Sequence, residues 1–201
     1  MGISLAVIVA GTAIYGAALG AWRSPAQGVF SALKLPLVLT LTALGNSLIN
    51  GMAAPLLGVS ISFKESLAAI LASFAICATI LASLAPLLLF LVVSSPSMDS
   101  AQRGAAHGLI LIVNVGSLAL AGIVGNVRLF QTILSLSGDR PPALRVWTAW
   151  LGMNLLLGSQ FSWLLRPFVG SPGLPVEFLR ADAFQGNFFE AVFRALVRLF
   201  S

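Results

Sequence analysis

Charged side chains are scarce in this sequence. Of its 201 residues, 8% are Asp, Glu, Lys or Arg and 58% are hydrophobic, whereas an ordinary soluble domain has about 25% charged and roughly 45–50% apolar residues. So few charges cannot cover the surface of a water-soluble fold of this size. The composition therefore excludes a soluble domain and predicts an all-α, polytopic membrane protein embedded in a lipid bilayer.

Residues that bind metals or catalyse reactions are scarce too. The chain holds one histidine and one cysteine, and a metal site needs several converging His, Cys or carboxylate ligands. The six acidic residues all fall in expected loops, helix ends or the tail, so no span carries the buried carboxylate that ion-coupled transporters commonly need. No GxSxG, HExxH, Walker or dinucleotide motif occurs. We therefore expect a protein that is not an enzyme.

Long apolar segments are what the sequence does have. Five of them reach the roughly 20 residues that a helix needs to cross a bilayer. We expect residues 1–166 to form a transmembrane helical bundle with spans at residues 2–22, 35–59, 66–93, 104–126 and 146–166. Pro86 is the natural hinge of the long third span, since proline removes one helical hydrogen bond. A four-span alternative, with 35–59 re-entrant, stays open because Asn46, Asn50 and Pro55 weaken that segment.

Basic residues predict the orientation of the bundle. With the N-terminus outside, the outer loops hold Lys64, Arg128, Arg140 and Arg145, and the inner loops and tail hold Arg23, Lys34, Arg103, Arg166, Arg180, Arg194 and Arg198. This bias predicts a multi-pass protein of the bacterial inner membrane with a cytoplasmic C-terminus. The basic residues are scattered, so anionic lipid headgroups, and not nucleic acid, are their expected counter-charge.

Small and polar residues indicate how the helices pack. Thr12, Gly16 and Gly20 are four apart on one face, and the last two form a GxxxG motif that permits close backbone approach. Asn114 belongs to a similar stripe on the fourth span. Uncharged polar groups at membrane depth are expected to hydrogen-bond between helices or, alternatively, to line a path for a solute; they are Asn46, Asn50, Asn114, Asn154 and Gln160.

His107 opens the fourth span beside small residues. One interpretation is a polar helix entrance that starts near Ser97, where Asp99, Arg103 and His107 share a face at spacings of four. The other is axial ligation of haem or chlorophyll, since the neighbouring glycines and alanines leave room for a flat macrocycle. No cofactor is the main expectation, and a pigment stays the alternative.

Proline and glycine break the chain after the fifth span, and a short amphipathic segment follows. We expect residues 167–201 to form this Pro/Gly linker and then a helix that Asn187 caps, with Glu190 three residues later. Its apolar face consists of Phe189, Val192, Phe193, Leu196 and Phe200, and Arg194 and Arg198 lie on the opposite side. This helix is too short and too charged to span, so it is expected to lie at the membrane interface or to dock on a partner.

A resemblance to a known family rests on the middle of the chain. The run SALKLPLVLTLTALGNSLINGMAAPLLGVSISFKESLAAILASFAICATILASLAP, residues 31–86, has a basic residue and a proline at the start of one span and Ala-Pro within a long one. In this it resembles bacterial membrane proteins of the Yip type. The resemblance implies about five helices and, from eukaryotic members, an association with membrane trafficking. It carries over no functional residue.

Together these features favour a binding or organising function. We expect a non-enzymatic integral membrane accessory or scaffold subunit, whose partners are other membrane protein subunits. A small-solute channel or carrier is the alternative, and it requires a continuous polar stripe through the bundle. A pigment- or haem-associated subunit that uses His107 is the second alternative.

Overall fold

The chain is all-helical, as its composition predicts. The computed structural model describes residues 1–200 and, within them, every side chain except those of residues 195, 196 and 198–200. In this part 77% of the chain is helical and no strand occurs. The helices are α1 (Gly2–Gly20), α2 (Pro25–Ala53), α3 (Phe63–Ser94), α4 (Arg103–Ser137), α5 (Arg140–Leu164) and α6 (Phe188–Phe200), with a 3-10 helix at Pro55–Leu57.

Four of these helices are long and apolar enough to cross a membrane, namely α1, α2, α3 and α4. They confirm the prediction of a multi-pass membrane protein. α5 is not among the four, because Asn154 and Gln160 lower the mean hydropathy of a helix that is otherwise of membrane length. The expected fifth span therefore corresponds to a helix whose composition alone does not define it as membrane-spanning.

α2 begins ten residues earlier than the sequence analysis expected, at Pro25 instead of residue 35. The Ser24 hydroxyl caps its first turn by accepting a hydrogen bond from the Gln27 backbone N–H at 3.1 Å, and Pro25 suits the first helical position because its φ is already helical. Lys34, expected in an inner loop, therefore lies within the helix. α2 is continuous through Pro36 and ends at Ala53.

α4 begins later than the polar-entrance interpretation requires. It starts at Arg103, after a turn in which the Ser100 N–H bonds to the Ser97 carbonyl oxygen at 3.0 Å. Gln102 occupies the N-cap position of α4, so Ser97 does not cap the helix. Asp99 lies outside α4 and does not share a helical face with Arg103 and His107, so that interpretation is wrong.

The connections after α1, α3 and α5 meet at one end of the bundle. The Trp22 indole Nε1 donates to the Pro96 carbonyl oxygen at 3.2 Å, and the Arg23 Nη2 donates to the Leu174 carbonyl oxygen at 3.0 Å. We call this the linker end, since it holds the linker, residues 165–187, that joins α5 to α6. The N-terminus of α1 and the connections after α2 and α4 lie at the opposite end.

The core consists of two apolar clusters, one in each half of the bundle. Trp150, Ile70, Ile133 and Leu129 belong to the cluster nearer the opposite end. The second cluster, nearer the linker end, contains Tyr15, Leu19, Leu81, Leu88 and Ile110. Many large apolar side chains of α1 to α4 remain exposed, as expected of helices whose outer faces contact lipid.

Candidate functional site

Three polar side chains of α2 face the linker and are fully buried. Gln27, Ser31 and Lys34 lie three and four residues apart, on one side of the helix, and none of them is solvent-exposed. We call these three residues the clamp. Burying such groups costs free energy unless they find hydrogen-bond partners. Their donor groups have such partners, whereas the Gln27 Oε1 has none within the described residues.

The partners of the clamp are backbone carbonyl groups at the start of the linker. The Gln27 Nε2 donates to the carbonyl oxygens of Pro167 at 3.0 Å and Phe168 at 2.9 Å. The Ser31 hydroxyl donates to the same Phe168 oxygen. Each of these bonds joins residues more than one hundred positions apart in sequence. The clamp therefore fixes the point at which the chain leaves α5.

Lys34 is the one charged member of the clamp. Its ammonium donates to the Pro167 carbonyl oxygen at 2.8 Å, and it lies 5.0 Å from the centre of the Phe178 ring and 5.9 Å from that of Phe30. Those two rings meet edge to face at 5.5 Å. Among the described residues no carboxylate pairs with Lys34. Cation–π contacts and one charged hydrogen bond stabilise the ammonium instead.

Two glycines bring α1 against α2 behind the clamp. A Cβ added at Gly16 would clash with the Ser31 carbonyl oxygen, and one at Gly20 would clash with that of Gln27. The GxxxG face therefore packs within this chain. Thr12, on the same side of α1, is buried and donates to the Ile8 carbonyl oxygen at 2.6 Å. Substituting either glycine would displace the backbone that carries the clamp.

A second contact holds the linker farther along. The Arg23 side chain bonds to the Leu174 carbonyl oxygen and packs so closely on Gly170 that a Cβ there would lie 2.8 Å from the Arg23 Cγ. Gly170 has a φ of 82°, which also favours glycine. The linker is therefore attached to the bundle at both ends of residues 167–174.

A cleft of about 640 Å³ opens between the end of α5, the linker and α6. Arg166, Arg180 and Arg194 line it together with two carboxylates. The Arg166 Nη2 pairs with the Asp182 carboxylate at 3.2 Å, and Arg194 pairs with Glu190. The Arg194–Glu190 pair lies within α6, and the Arg166–Asp182 pair joins the end of α5 to the linker, so neither ion pair attaches α6 to the bundle.

α6 presents apolar side chains outward. The Asn187 Oδ1 accepts from the Glu190 N–H at 2.9 Å and caps the helix, as the sequence predicts. Phe193 is 66% exposed and Phe189 48% exposed, and Val192 is also exposed. The remaining members of the predicted face and its opposite side, namely the side chains of Leu196, Phe200 and Arg198, lie outside the described residues.

The polar residues at membrane depth form two separate groups. On α2 and α5, the Asn46 amide donates to the Asn154 Oδ1 and the Asn50 amide donates to the Asn46 Oδ1. Between α1 and α4, the Tyr15 hydroxyl donates to the Asn114 Oδ1 at 3.2 Å. Asn114 thus lies on a different helix interface from the other three asparagines. Gln160, half-buried on α5, makes no interhelical hydrogen bond within the described part.

His107 stacks on an aromatic ring. Its imidazole lies 5.6 Å from the Trp22 ring at an interplanar angle of 26°. Gly104 and Gly108 have open space beside them, as the macrocycle interpretation supposes. In the described part of the chain, no three His, Cys, Asp or Glu side chains converge where a metal ion could bind. In this position His107 makes a packing contact with Trp22 at the linker end.

Sequence reasoning missed the clamp, although a signal for it was present. Ser24, Pro25 and Gln27 have the Ser-x-x-Gln spacing of a capping box with proline at the first helical position. That pattern starts a helix at Pro25 and puts Gln27, Ser31 and Lys34 on one side of it, but it does not predict what that side contacts. Hydropathy alone began the span at residue 35, because the ten preceding residues include polar groups.

Comparison of the chain with known protein families, with curated proteins and with solved structures finds no match. The resemblance of residues 31–86 to Yip-type proteins therefore stays a prediction.

Proposed function

We propose that this protein is a non-enzymatic accessory or scaffold subunit of a membrane protein assembly. Its bundle anchors the chain in the bilayer, and α6 is the element that contacts a partner subunit. The linker end faces the cytoplasm of a bacterial inner membrane, where α6 lies at the interface near anionic lipid headgroups.

The observation that supports this proposal most is the attachment of the linker to the bundle. A helix that merely anchored a tail to lipid would not require a buried lysine, a buried glutamine and a buried serine to hold its connection. Fixing the linker lowers the conformational entropy that α6 would lose on binding, which is how preorganised surfaces gain affinity. The clamp thus suits a helix that docks on another protein.

The arrangement of asparagines favours a scaffold over a channel. A solute path needs a continuous polar stripe, whereas Asn114 pairs with Tyr15 on one interface and Asn46 pairs with Asn154 on another. Pairing between helices satisfies these groups and stabilises the bundle. The Asn46–Asn154 bond also supports α5 as a fifth span, because it ties α5 to α2 at membrane depth.

The test is whether partner binding depends on the apolar side chains of α6. Phe189→Ser together with Phe193→Ser removes two exposed rings, each contributing about 1–3 kcal/mol when buried. The double variant is expected to lose a stoichiometric partner during purification in mild detergent, while the bundle stays inserted and folded.

Phe184→Ser is the matched control, because Phe184 is 82% exposed and lies in the linker instead of in α6. It should retain the partner. Equal behaviour of the two variants would contradict a docking role for α6. Faster proteolysis of α6 in the reconstituted double variant, without any protein partner in the wild type, would identify α6 as a lipid anchor instead.

A further inference from the structure

A second cleft lies far from the linker end, between α3 and α4. It encloses about 440 Å³, within the usual range for small-molecule sites. Its α3 wall is formed by small and apolar residues, Ala69, Ala72, Ser73 and Ile76. The α4 wall is mostly polar and consists of Arg128, Gln131, Thr132 and Ser135 together with the buried Leu129. We call this cleft the α3–α4 groove.

The polar wall follows one face of α4 at spacings of three and four residues. The Arg128 Nη1 donates to the Gln131 Oε1 at 3.1 Å, which orients the guanidinium and leaves the Gln131 amide N–H groups beside it. An arginine has five N–H donors, so most of those on Arg128 stay available. The hydroxyl of Thr132 bonds to the Arg128 carbonyl oxygen at 3.0 Å.

The groove carries uncompensated positive charge. None of its lining residues is acidic, and within the described residues Arg128 forms no ion pair. Both Arg128 and Gln131 are exposed. A planar guanidinium with a neighbouring amide donor matches the oxygens of a phosphate group, which arginine binds through two parallel hydrogen bonds.

The depth of the groove suits a lipid phosphate. The Trp147 Nε1 donates to the Asn126 carbonyl oxygen at 3.2 Å, and tryptophans concentrate at the boundary between acyl chains and headgroups. Arg128 lies half a turn beyond Asn126, on the side away from the bilayer centre. Below it, Ser73 donates to the Gly125 carbonyl oxygen at 2.8 Å, and Ile76 lines the part of the groove that faces the acyl region.

We propose that the α3–α4 groove binds an anionic phospholipid, with Arg128 and Gln131 on the phosphate and an acyl chain against Ala72 and Ile76. A charged residue on a membrane-crossing helix is costly without a partner, and a headgroup phosphate supplies that partner. The leaflet is the one opposite the linker end. This inference is independent of the function proposed for α6.

The test is native mass spectrometry of the full-length protein after exchange into phosphatidylglycerol or phosphatidylcholine. The wild type is expected to retain one phosphatidylglycerol more firmly than phosphatidylcholine. Arg128→Gln should lower that retention on the order of tenfold, the effect of losing a charged hydrogen bond. Arg140→Gln removes the same charge from an exposed site outside the groove and should leave retention unchanged.

A second pair of variants tests the shape of the groove without changing charge. Ala72→Phe fills the α3 wall and should also release the lipid, whereas Ala68→Phe, at an exposed position of α3 outside the groove, should not. Equal retention by Arg128→Gln and Arg140→Gln would overturn the proposal, as would equal retention of the two lipids. Loss of the lipid on adding millimolar inorganic phosphate would assign the site to free phosphate.

Discussion

The Lys34 ammonium donates a hydrogen bond to the Pro167 carbonyl oxygen, 2.8 Å away, and thereby joins α2 to the linker. The contact places a charge in a fully buried position beside two phenylalanine rings. The charge strengthens the hydrogen bond and adds cation–π attraction. Lys34 is therefore the charged group in a connection to which Gln27, Ser31 and Arg23 also contribute hydrogen bonds.

Lys34→Met is expected to loosen the linker, which Gln27, Ser31 and Arg23 still contact, without unfolding the bundle. Methionine fills much of the same volume and removes the cost of a buried charge, but it cannot bond to Pro167. Trypsin should then cleave after Arg180 at least tenfold faster, since a charged hydrogen bond is worth about 1.5–3 kcal/mol, while the melting temperature stays equal or rises. Lys64→Met, at the other lysine, should not change cleavage. Cleavage at the wild-type rate in both variants would show that Lys34 does not hold the linker.

Gly16→Ala is expected to destabilise the bundle by about 1–3 kcal/mol. Its Cβ would clash with the Ser31 backbone, and both helices would have to move apart. Gly108→Ala is the matched control, because open space surrounds Gly108 and alanine is about 1 kcal/mol better than glycine in a helix. Thermal unfolding in detergent measures both. A stabilising Gly16→Ala would show that α1 does not pack closely on α2.

These two regions differ in how well the sequence predicted them. The close approach at Gly16 and Gly20 could be predicted, because a GxxxG motif permits close backbone packing whichever helix the partner is. The clamp was predictable only in part: the Ser-x-x-Gln pattern starts α2 at Pro25, but the acceptors of the clamp are backbone carbonyl groups of Pro167 and Phe168, which have no sequence signature. Local patterns predict which face of a helix is small or polar, but a contact between residues more than one hundred positions apart follows only from the tertiary structure.

The start of α5 is a second feature that the sequence did not predict correctly. Residues 127–145, which include Pro141 and Pro142, were expected to form an outer loop between the fourth and fifth spans. The structure places both in the first turn of α5, where a missing N–H costs nothing since that turn has no intrahelical acceptors. Hydropathy locates only the apolar middle of a helix. The polar first turn of α5 was therefore missed, and the expected span began at residue 146 instead of Arg140.

Asn154→Ala is expected to lower the free energy of unfolding by about 0.6–1.7 kcal/mol, the usual contribution of a hydrogen bond between membrane helices. The substitution leaves the buried Asn46 amide without its partner on α5. Asn126→Ala is the control, because the Asn126 side chain bonds within its own helix, to the Gly122 carbonyl oxygen. Unfolding in denaturant should separate the two; equal stabilities would show that the Asn46–Asn154 bond contributes nothing.

His107→Phe is expected to leave both stability and the visible absorption spectrum unchanged. Phenylalanine preserves stacking on Trp22, whereas His107→Ala removes it and should cost about 0.5–1.5 kcal/mol. Spectra and melting curves of the purified protein measure the two effects. A Soret or chlorophyll band that disappears in His107→Phe would instead assign the imidazole as a pigment ligand.

Photo-cross-linking from position 193 tests most directly the claim that α6 docks on a partner while the clamp holds the linker to the bundle. A photoreactive amino acid in place of Phe193 should give one discrete protein adduct in native membranes. The yield of this adduct should fall strongly when Lys34→Met is added and stay unchanged with Lys64→Met. No discrete protein adduct, or one that Lys34→Met leaves unchanged, would contradict the account.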